Sequence, residues 1–313
     1  MNSTVSFKTL VICSGLLFGF WTSDALGASG SFEQSMSVDG PIFLDVSTGS
    51  GSIKIRSGQS DQVEIVGHIK VGGGAFFSRR SSSEKQELVE RFENEPPVSL
   101  VDGRLQVGHI KDKAYRNNVS ISYEIVVPAS AEVVSHTGSG TQAISGVAGP
   151  VEVKTGSGKI TLSDIGGAVS ARSGSGSIRA DEIAGAFEAH TGSGSVRLTQ
   201  VAPGDVEVTT GSGNSELLGI VGALRVKAGS GRVEVDGQQV GGWNIDTGSG
   251  SVRIKLPVDA AFELDAHTGS GGITLDHPLT VQGKISKKRI RGNVRGGGDL
   301  IDIETGSGGI RIE

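Results

Sequence analysis

Residues 155–172 read Thr-Gly-Ser-Gly-Lys-Ile-Thr-Leu-Ser-Asp-Ile-Gly-Gly-Ala-Val-Ser-Ala-Arg, and the chain returns to this layout again and again. Counting Thr155 as position 1, apolar residues stand at positions 6, 8, 11, 15 and 17: Ile160, Leu162, Ile165, Val169 and Ala171. Residues 191–209 set out Val196, Leu198, Val201, Val206 and Val208 in the same order. Thr-Gly-Ser-Gly itself stands at Thr48–Gly51, Thr137–Gly140, Thr155–Gly158, Thr191–Gly194, Thr210–Gly213, Thr247–Gly250, Thr268–Gly271 and Thr305–Gly308, with Ser173 and Ala228 replacing Thr in two more copies. From Gly138 to Gly248 the first glycines step by 18, 18, 18, 19, 18 and 19 residues. A fixed period of that length marks a repeat architecture.

Two alternating apolar pairs flanking a lone apolar residue, with Gly-rich bends between, predict three short straight segments per coil of a β-solenoid. The rival reading makes Thr-Gly-Ser-Gly the loop of a hairpin in an antiparallel meander. The solenoid accounts better for the lone position 11. It also explains why the loops stay identical, because loops stacked in register constrain one another. The expected fold is therefore all-β, a single-chain β-solenoid of ~18–19-residue coils.

The chain has 313 residues, 50 of them glycine, and only 4% aromatic side chains, so the core must be thin layers of Val, Ile, Leu and Ala. A net charge of −5 with both signs dispersed offers no broad basic face, and no nucleic-acid partner is expected. Residues 1–28 read as a secretory signal peptide: Lys8 precedes the apolar run Thr9–Trp21, and Ala25-Leu26-Gly27-Ala28 offers cleavage after Gly27 or Ala28. The run is shorter than the ~20 residues that span a bilayer, so the mature chain is read as exported without a transmembrane span. The only cysteine, Cys13, lies inside that run after Ile12, which lacks the small residue of a lipoprotein cleavage site. Without it the chain has no disulfide framework, Cys-type zinc site or thiol nucleophile.

Residues 29–313 are expected to form one domain, with an insertion at 72–118 and the regular array over 137–313. In the insertion, Ser83 with Gln86 suggests a capping box. Leu88, Val89 and Phe92 share a helical face, and Pro96-Pro97 stops the helix, which is placed at about residues 84–94. That insertion also carries Phe76, Phe77, Arg79, Arg80 and Lys85. The helix is expected to cover an open end of the stack.

The repeat looks chemical and reads as structural. Gly156-Ser157-Gly158-Lys159 resembles a phosphate loop, but Val153 stands where its first Gly belongs and Ile160 follows the Lys. The loops lack the Asp of calcium-binding β-rolls, and no helix follows them as in a nucleophile elbow. Their Thr and Ser hydroxyls are expected to bond the loop's own backbone and the next coil, with a glycan- or ice-facing hydroxyl surface as the alternative. His136, His190 and His267 precede three of the loops, too far apart for a shared metal. Neither metal nor cofactor is expected.

Asp164 and Glu182 fall at position 10 of adjacent coils, with Asp181 beside them, and could bring carboxylates to ~5 Å, the spacing of a retaining glycosidase pair. Arg253-Ile254-Lys255 resembles a short motif of pectin-degrading β-helix enzymes, without its companion motifs. Position 7 suggests ion pairs of Arg197 with Glu216 and of Glu234 with Arg253. The run Lys284–Arg295 has six basic residues and no acid. Lys287, Lys288, Arg289 and Arg291 are its candidate binding residues for an anionic surface such as lipopolysaccharide or phospholipid.

A signal peptide, the segment Tyr123-Glu124-Ile125-Val126-Val127-Pro128, the Thr-Gly-Ser-Gly-x-Ile/Val copies and a closing Gly296-Gly297-Gly298 before Thr305–Ile310 together resemble the bacterial putative-adhesin family, a β-solenoid domain of unknown function. The resemblance covers nearly all of the mature chain. It implies an envelope or surface location and adhesion, and it supplies no catalytic residues or ligand. The function expected is a non-enzymatic envelope or surface module, a putative adhesin or scaffold, with a glycan or another envelope component as its partner. The alternative is a polysaccharide-acting enzyme on a β-helix scaffold.

Overall fold

The structure, a computed structural model, describes residues 28–38, 40–58, 61–72, 81–101, 103–110, 112, 115, 119–280 and 286–313. The signal-peptide reading lies outside the described residues apart from Ala28, and so do Phe76, Phe77, Arg79, Arg80 and Lys284. Two compact units, residues 1–141 and 142–313, are described in turn.

The first unit contains β1 (Ala28–Ser37), β2 (Phe43–Thr48), β3 (Ile53–Ser57), β4 (Gln62–Val71), α1 (Ser82–Asn94), β5 (Val98–Val101), β6 (Arg104–Val107), β7 (Val119–Val127) and β8 (Glu132–Thr137). One face runs β1–β4–β7–β3, antiparallel except for the parallel β7–β3 pair. The other runs β5–β6–β2–β8, parallel except for the β5–β6 hairpin. Period-2 alternation sends Leu44, Val46, Ile65, Ile69, Leu105, Ile121, Tyr123 and Ile125 into the core between them.

Helix α1 buries Leu88, Val89 and Phe92 and lies against β1 and β4. Its Glu93 carboxylate accepts the outward Ser31 N–H of β1 at 3.0 Å, so the helix covers part of that edge, as edge strands require. The cap sits two residues before the expected one. Ser81 is the N-cap, its hydroxyl accepts Glu84 N–H at 3.2 Å, and the Glu84 carboxylate accepts Ser81 N–H at 2.9 Å. A carboxylate makes the stronger, charge-assisted bond, which a Gln86 amide could not match.

The second unit is a stack of coils, most of them with two strands joined by the Thr-Gly-Ser-Gly corner. In chain order its strands are β9 (Gln142–Val147), β10 (Val151–Thr155), β11 (Ile160–Ile165), β12 (Val169–Ser173), β13 (Ile178–Ile183), β14 (Phe187–Thr191), β15 (Val196–Gln200) and β16 (Val206–Thr210). There follow β17 (Ser215–Ser230), β18 (Val233–Ser249), β19 (Val252–Lys255), β20 (Phe262–Thr268), β21 (Ile273–Leu275), β22 (Leu279–Thr280), β23 (Arg289–Val294), β24 (Leu300–Thr305) and β25 (Ile310–Ile312). Every strand from β10 to β16 pairs in parallel with the strand one coil later, as in Val151↔Val169 and Ile160↔Ile178. Parallel ladders between coils exclude the hairpin meander.

The coil differs from its expected form in one respect: it has two strands, not three. In the coils that begin at Thr137, Thr155, Ser173 and Thr210, position 11 continues the strand of positions 6 and 8, after a kink at position 10 where Asp164 (φ 55°) and Glu182 (φ 60°) take the left-handed conformation of Gly146 (φ 70°) and Gly219 (φ 71°). In the copy from Thr191 the kink is missing, Gln200 is buried at position 10, and Val201 lies past the strand end, 60% exposed. The kink turns Ile165 and Ile183 back inward, where both are fully buried. A strict alternation would have pointed them at water.

Chain order and stacking order part at the C-terminal end. β24 pairs in parallel with β18 on one side, Thr247↔Thr305, and with β20 on the other, Thr268↔Thr305. β25 likewise lies between β19 and β21. The last coil of the chain is thus inserted between two earlier ones. β23 lies antiparallel on the far side of β20. The link from β23 back to β24 passes the start of β20 through Arg295, Gly296 and Gly297, all left-handed.

Candidate functional site

The repeated corner comes first, because any single copy could be taken for a site. In every copy but the first, where Thr48 is half-buried, the position-1 side chain is buried: Thr155, Ser173, Thr191, Thr210, Thr268 and Thr305 are all 7% exposed or less. Thr191 Oγ1 accepts the Gly194 N–H at 3.1 Å and donates to the Gly176 carbonyl of the coil before at 3.0 Å. Thr210 repeats both bonds, at 3.1 Å each. Ser173 does so at 2.8 and 3.4 Å. Thr305 to Gly250 O (2.9 Å) and Thr268 to Gly308 O (2.8 Å) extend the ladder through the inserted coil.

These hydroxyls are internal, so the hydroxyl-surface alternative keeps only the exposed position-3 serines. The glycines serve close approach: a Cβ on Gly176, Gly194 or Gly213 would fall under 3.0 Å from the carbonyl oxygen one coil back. One break in the ladder follows from the sequence. Ala228 brings no hydroxyl, Gly231 turns left-handed (φ 128°), and the buried Thr247 Oγ1 above them has no hydrogen-bond partner.

Asp164 and Glu182 do share a file, but as exposed residues at left-handed corners. The neighbouring Asp181 carboxylate accepts Arg179 Nε at 2.6 Å, and this bond and charge hold the Arg179 guanidinium above its usual range. Of the position-7 pairs, Arg197–Glu216 forms at 2.8 Å. The second does not. Glu234 pairs with Arg232, the corner residue just before its strand, at 3.4 Å, and Arg253 lies 3.9 Å from Glu313. Exposed pairs are worth ~0–1 kcal/mol, so small differences in reach decide between partners.

The structure places the four candidate basic residues at the end of the stack. Arg289 and Arg291 on β23 meet over Asp265 of β20, at 3.0 and 3.9 Å, with Arg291 also 3.7 Å from Glu263. Lys288 Nζ donates to the corner carbonyl of Gly269 at 2.9 Å, and Lys287 is exposed. Among the described residues no three His, Cys, Asp or Glu side chains gather as metal ligands, and no helix is long and apolar enough to cross a membrane.

The sequence carries one further irregularity, at position 5 of the corner. Position 5 of the corner is Lys159, Ser177, Ser195, Asn214, Arg232 and Ser251 in successive copies, but Gly272 and Gly309 in the last two. Where those two coils stack, the corner is notched. A shallow cavity of about 270 Å³ opens there, with Arg232, Arg253 and Arg311 on its wall.

The Toastrack DUF4097 model matches residues 31–313, all of the second unit and all but the first 30 residues of the first. The chain belongs to that family. Among solved structures, a Toastrack chain of this kind is similar to a putative cell adhesion protein from Clostridium sporogenes at 13% identity, covering 90% of this chain and 99% of that one, with a TM-score of 0.24. It is similar to a putative lipid binding protein from Parabacteroides distasonis at 13% identity, covering 90% and 97%, TM-score 0.43. A putative adhesin from Bacteroides fragilis follows at 12% identity, covering 91% and 97%, TM-score 0.37. No curated protein matches the chain.

Proposed function

We propose that this chain is an exported, non-enzymatic β-solenoid that works at the cell envelope or surface as an adhesive or scaffolding module. Its partner on this reading is a glycan or another envelope component. The observation that supports the reading is how the repeat is used. The corner hydroxyls and glycines bond coil to coil, and the outward strand positions form long files of polar and charged side chains, such as half-buried Glu152 and Ser170 and exposed Glu188 and Glu207 in register. Such a surface suits extended contact better than enclosure of a substrate. The basic strand is a second contact on this proposal: Arg289 and Arg291 are exposed, and their ion pairs are weak enough to exchange for anionic groups of a membrane or lipopolysaccharide.

Two measurements test it. Fractionation of cells expressing the full chain is expected to recover it outside the cytoplasm, shortened by its first 27 or 28 residues. Purified protein is expected to co-sediment saturably with isolated bacterial envelopes. Full-length protein confined to the cytoplasm, or no binding to envelopes, would overturn the proposal.

A further inference from the structure

The inserted coil decides which side chains border the notch at Gly272 and Gly309. Were the coils stacked in chain order, Arg253 would lie beside Thr274. Insertion puts Arg311 next to Arg253 instead, in register on adjacent strands, and Thr274 beyond it. Two guanidinium groups ~4.8 Å apart at the backbone repel unless an anion lies between them. Glu313 fills that role in part: it pairs closely with Arg311, which Asp276 also meets at 3.3 Å, and it stands 3.9 Å from Arg253, beyond hydrogen-bonding distance, so Arg253 is the less satisfied of the two. On its other side Arg253 has Glu234 in register, and Glu234 pairs with Arg232 of the corner at 3.4 Å. The three arginines are about half exposed or more, and all three line the cavity.

The missing side chains at position 5 leave room beside this row. The two glycines need no special backbone: neither has a left-handed φ, a Cβ on Gly272 would meet nothing within 4 Å, and one on Gly309 would meet only Gly272 O at 3.7 Å. Glycine here is not required by the fold, unlike the glycines of the corner. At about 270 Å³ the space falls just short of the ~300 Å³ where small-ligand pockets begin, enough for a single sugar-sized group.

Charge narrows the ligand. Guanidinium groups present paired donors to an oxyanion, and the flanking Glu234, Asp276 and Glu313 carboxylates accept hydrogen bonds from hydroxyls. A bare phosphate satisfies the first set and is repelled by the second. A carboxylate that carries its own hydroxyls satisfies both. We propose that the notch is a binding site for one uronic acid unit of an acidic glycan, its carboxylate on Arg253 and Arg311. This names a ligand class within the envelope-binding reading above and rests on it.

The test titrates the full chain with a glucuronate trisaccharide by calorimetry, beside a neutral glucose trisaccharide and inorganic phosphate. Saturable binding of the glucuronate alone is expected, weakening as salt rises. Arg311→Gln is expected to weaken it roughly fivefold or more, the loss of one charge-assisted contact. Gly272→Leu keeps every charge, fits the open space and is expected to abolish binding without moving the unfolding midpoint. No glucuronate binding, equal binding of the neutral sugar, displacement by equimolar phosphate, or unchanged affinity in Gly272→Leu would each overturn the site. Envelope co-sedimentation that survives Gly272→Leu would separate failure of this site from failure of the broader function.

Discussion

Replacing Thr191 by Val tests the corner ladder with almost no change of shape. The variant loses the bond to Gly176 O and leaves the buried Gly194 N–H without its acceptor. A net hydrogen bond contributes ~0.5–1.5 kcal/mol and a stranded buried donor costs ~1–3 kcal/mol, so the expected loss is about 2–4 kcal/mol. Urea unfolding followed by fluorescence suits the measurement, because Trp243 is buried in the same unit and the only other tryptophan is Trp21. Repeat arrays can unfold in sections, so the slope must be compared along with the midpoint. Thr191→Ser keeps the hydroxyl, has a natural precedent in Ser173, and is expected to lose only ~0.8 kcal/mol for the missing methyl. Ser193→Ala, exposed in the same loop, is expected to stay within ~0.5 kcal/mol. If Thr191→Val unfolds at the same midpoint as Ser193→Ala, the hydroxyls do not hold the coils together and the reasoning fails.

Other expectations follow from single positions. Gly194→Ala drives a Cβ into the carbonyl of Gly176 and is expected to cost ~1–3 kcal/mol or more, read as a fall in thermal midpoint. Glu182→Gly relieves a left-handed residue that costs ~1–2 kcal/mol, so it is expected to stabilise the chain by about 1 kcal/mol after glycine's extra chain entropy, measured in urea. Tyr123 is buried with its hydroxyl unpartnered, and burial pushes its phenol well above the ordinary 10.0. Its stabilising share is therefore whole below pH 10 and is lost at higher pH, as the unfolded chain ionises and the folded one does not. Tyr123→Phe removes a buried, unpartnered hydroxyl, so it is expected to be more stable than the parent at pH 7 and to lose less stability between pH 10 and 11.5, followed by circular dichroism.

Much of the coil was legible because its physics is local. The apolar residues at positions 6, 8, 15 and 17 alternate as strands must, and Ile160, Leu162, Val169 and Ala171 are all buried. The helix was legible from its apolar face and its prolines, although three consecutive serines, Ser81–Ser83, left the cap ambiguous by two residues. The kink at position 10 had a signal, since Gly146 and Gly219 alternate there with Asp164 and Glu182, but acids at equal spacing look like a catalytic pair until the backbone is seen. The inserted coil was not legible. Ile301, Ile303, Ile310 and Ile312 match any slot in the stack, and only long-range pairing chooses between β18 and β20 as the neighbour. Because Arg311 reaches Arg253 through that choice, the notch could not be assembled from spacing alone, whereas its two glycines stood in plain sight.

The order of coils at the C-terminal end can be measured directly. With Cys13 replaced by Ser the chain has no cysteine, so engineered pairs report only on themselves. Asn244 and Asp302 are register partners, their side chains 3.2 Å apart, and neighbouring strands lie within the ~4.4–6.8 Å that a disulfide spans between Cα atoms. Asn244→Cys with Asp302→Cys is expected to crosslink rapidly within one chain. Asn244→Cys with Asp265→Cys, two strands apart at ~9.6 Å, is expected to stay reduced under the same oxidant. Crosslinking of the second pair and not the first would show the coils stacked in chain order, and with it the juxtaposition of Arg253 and Arg311 would fall.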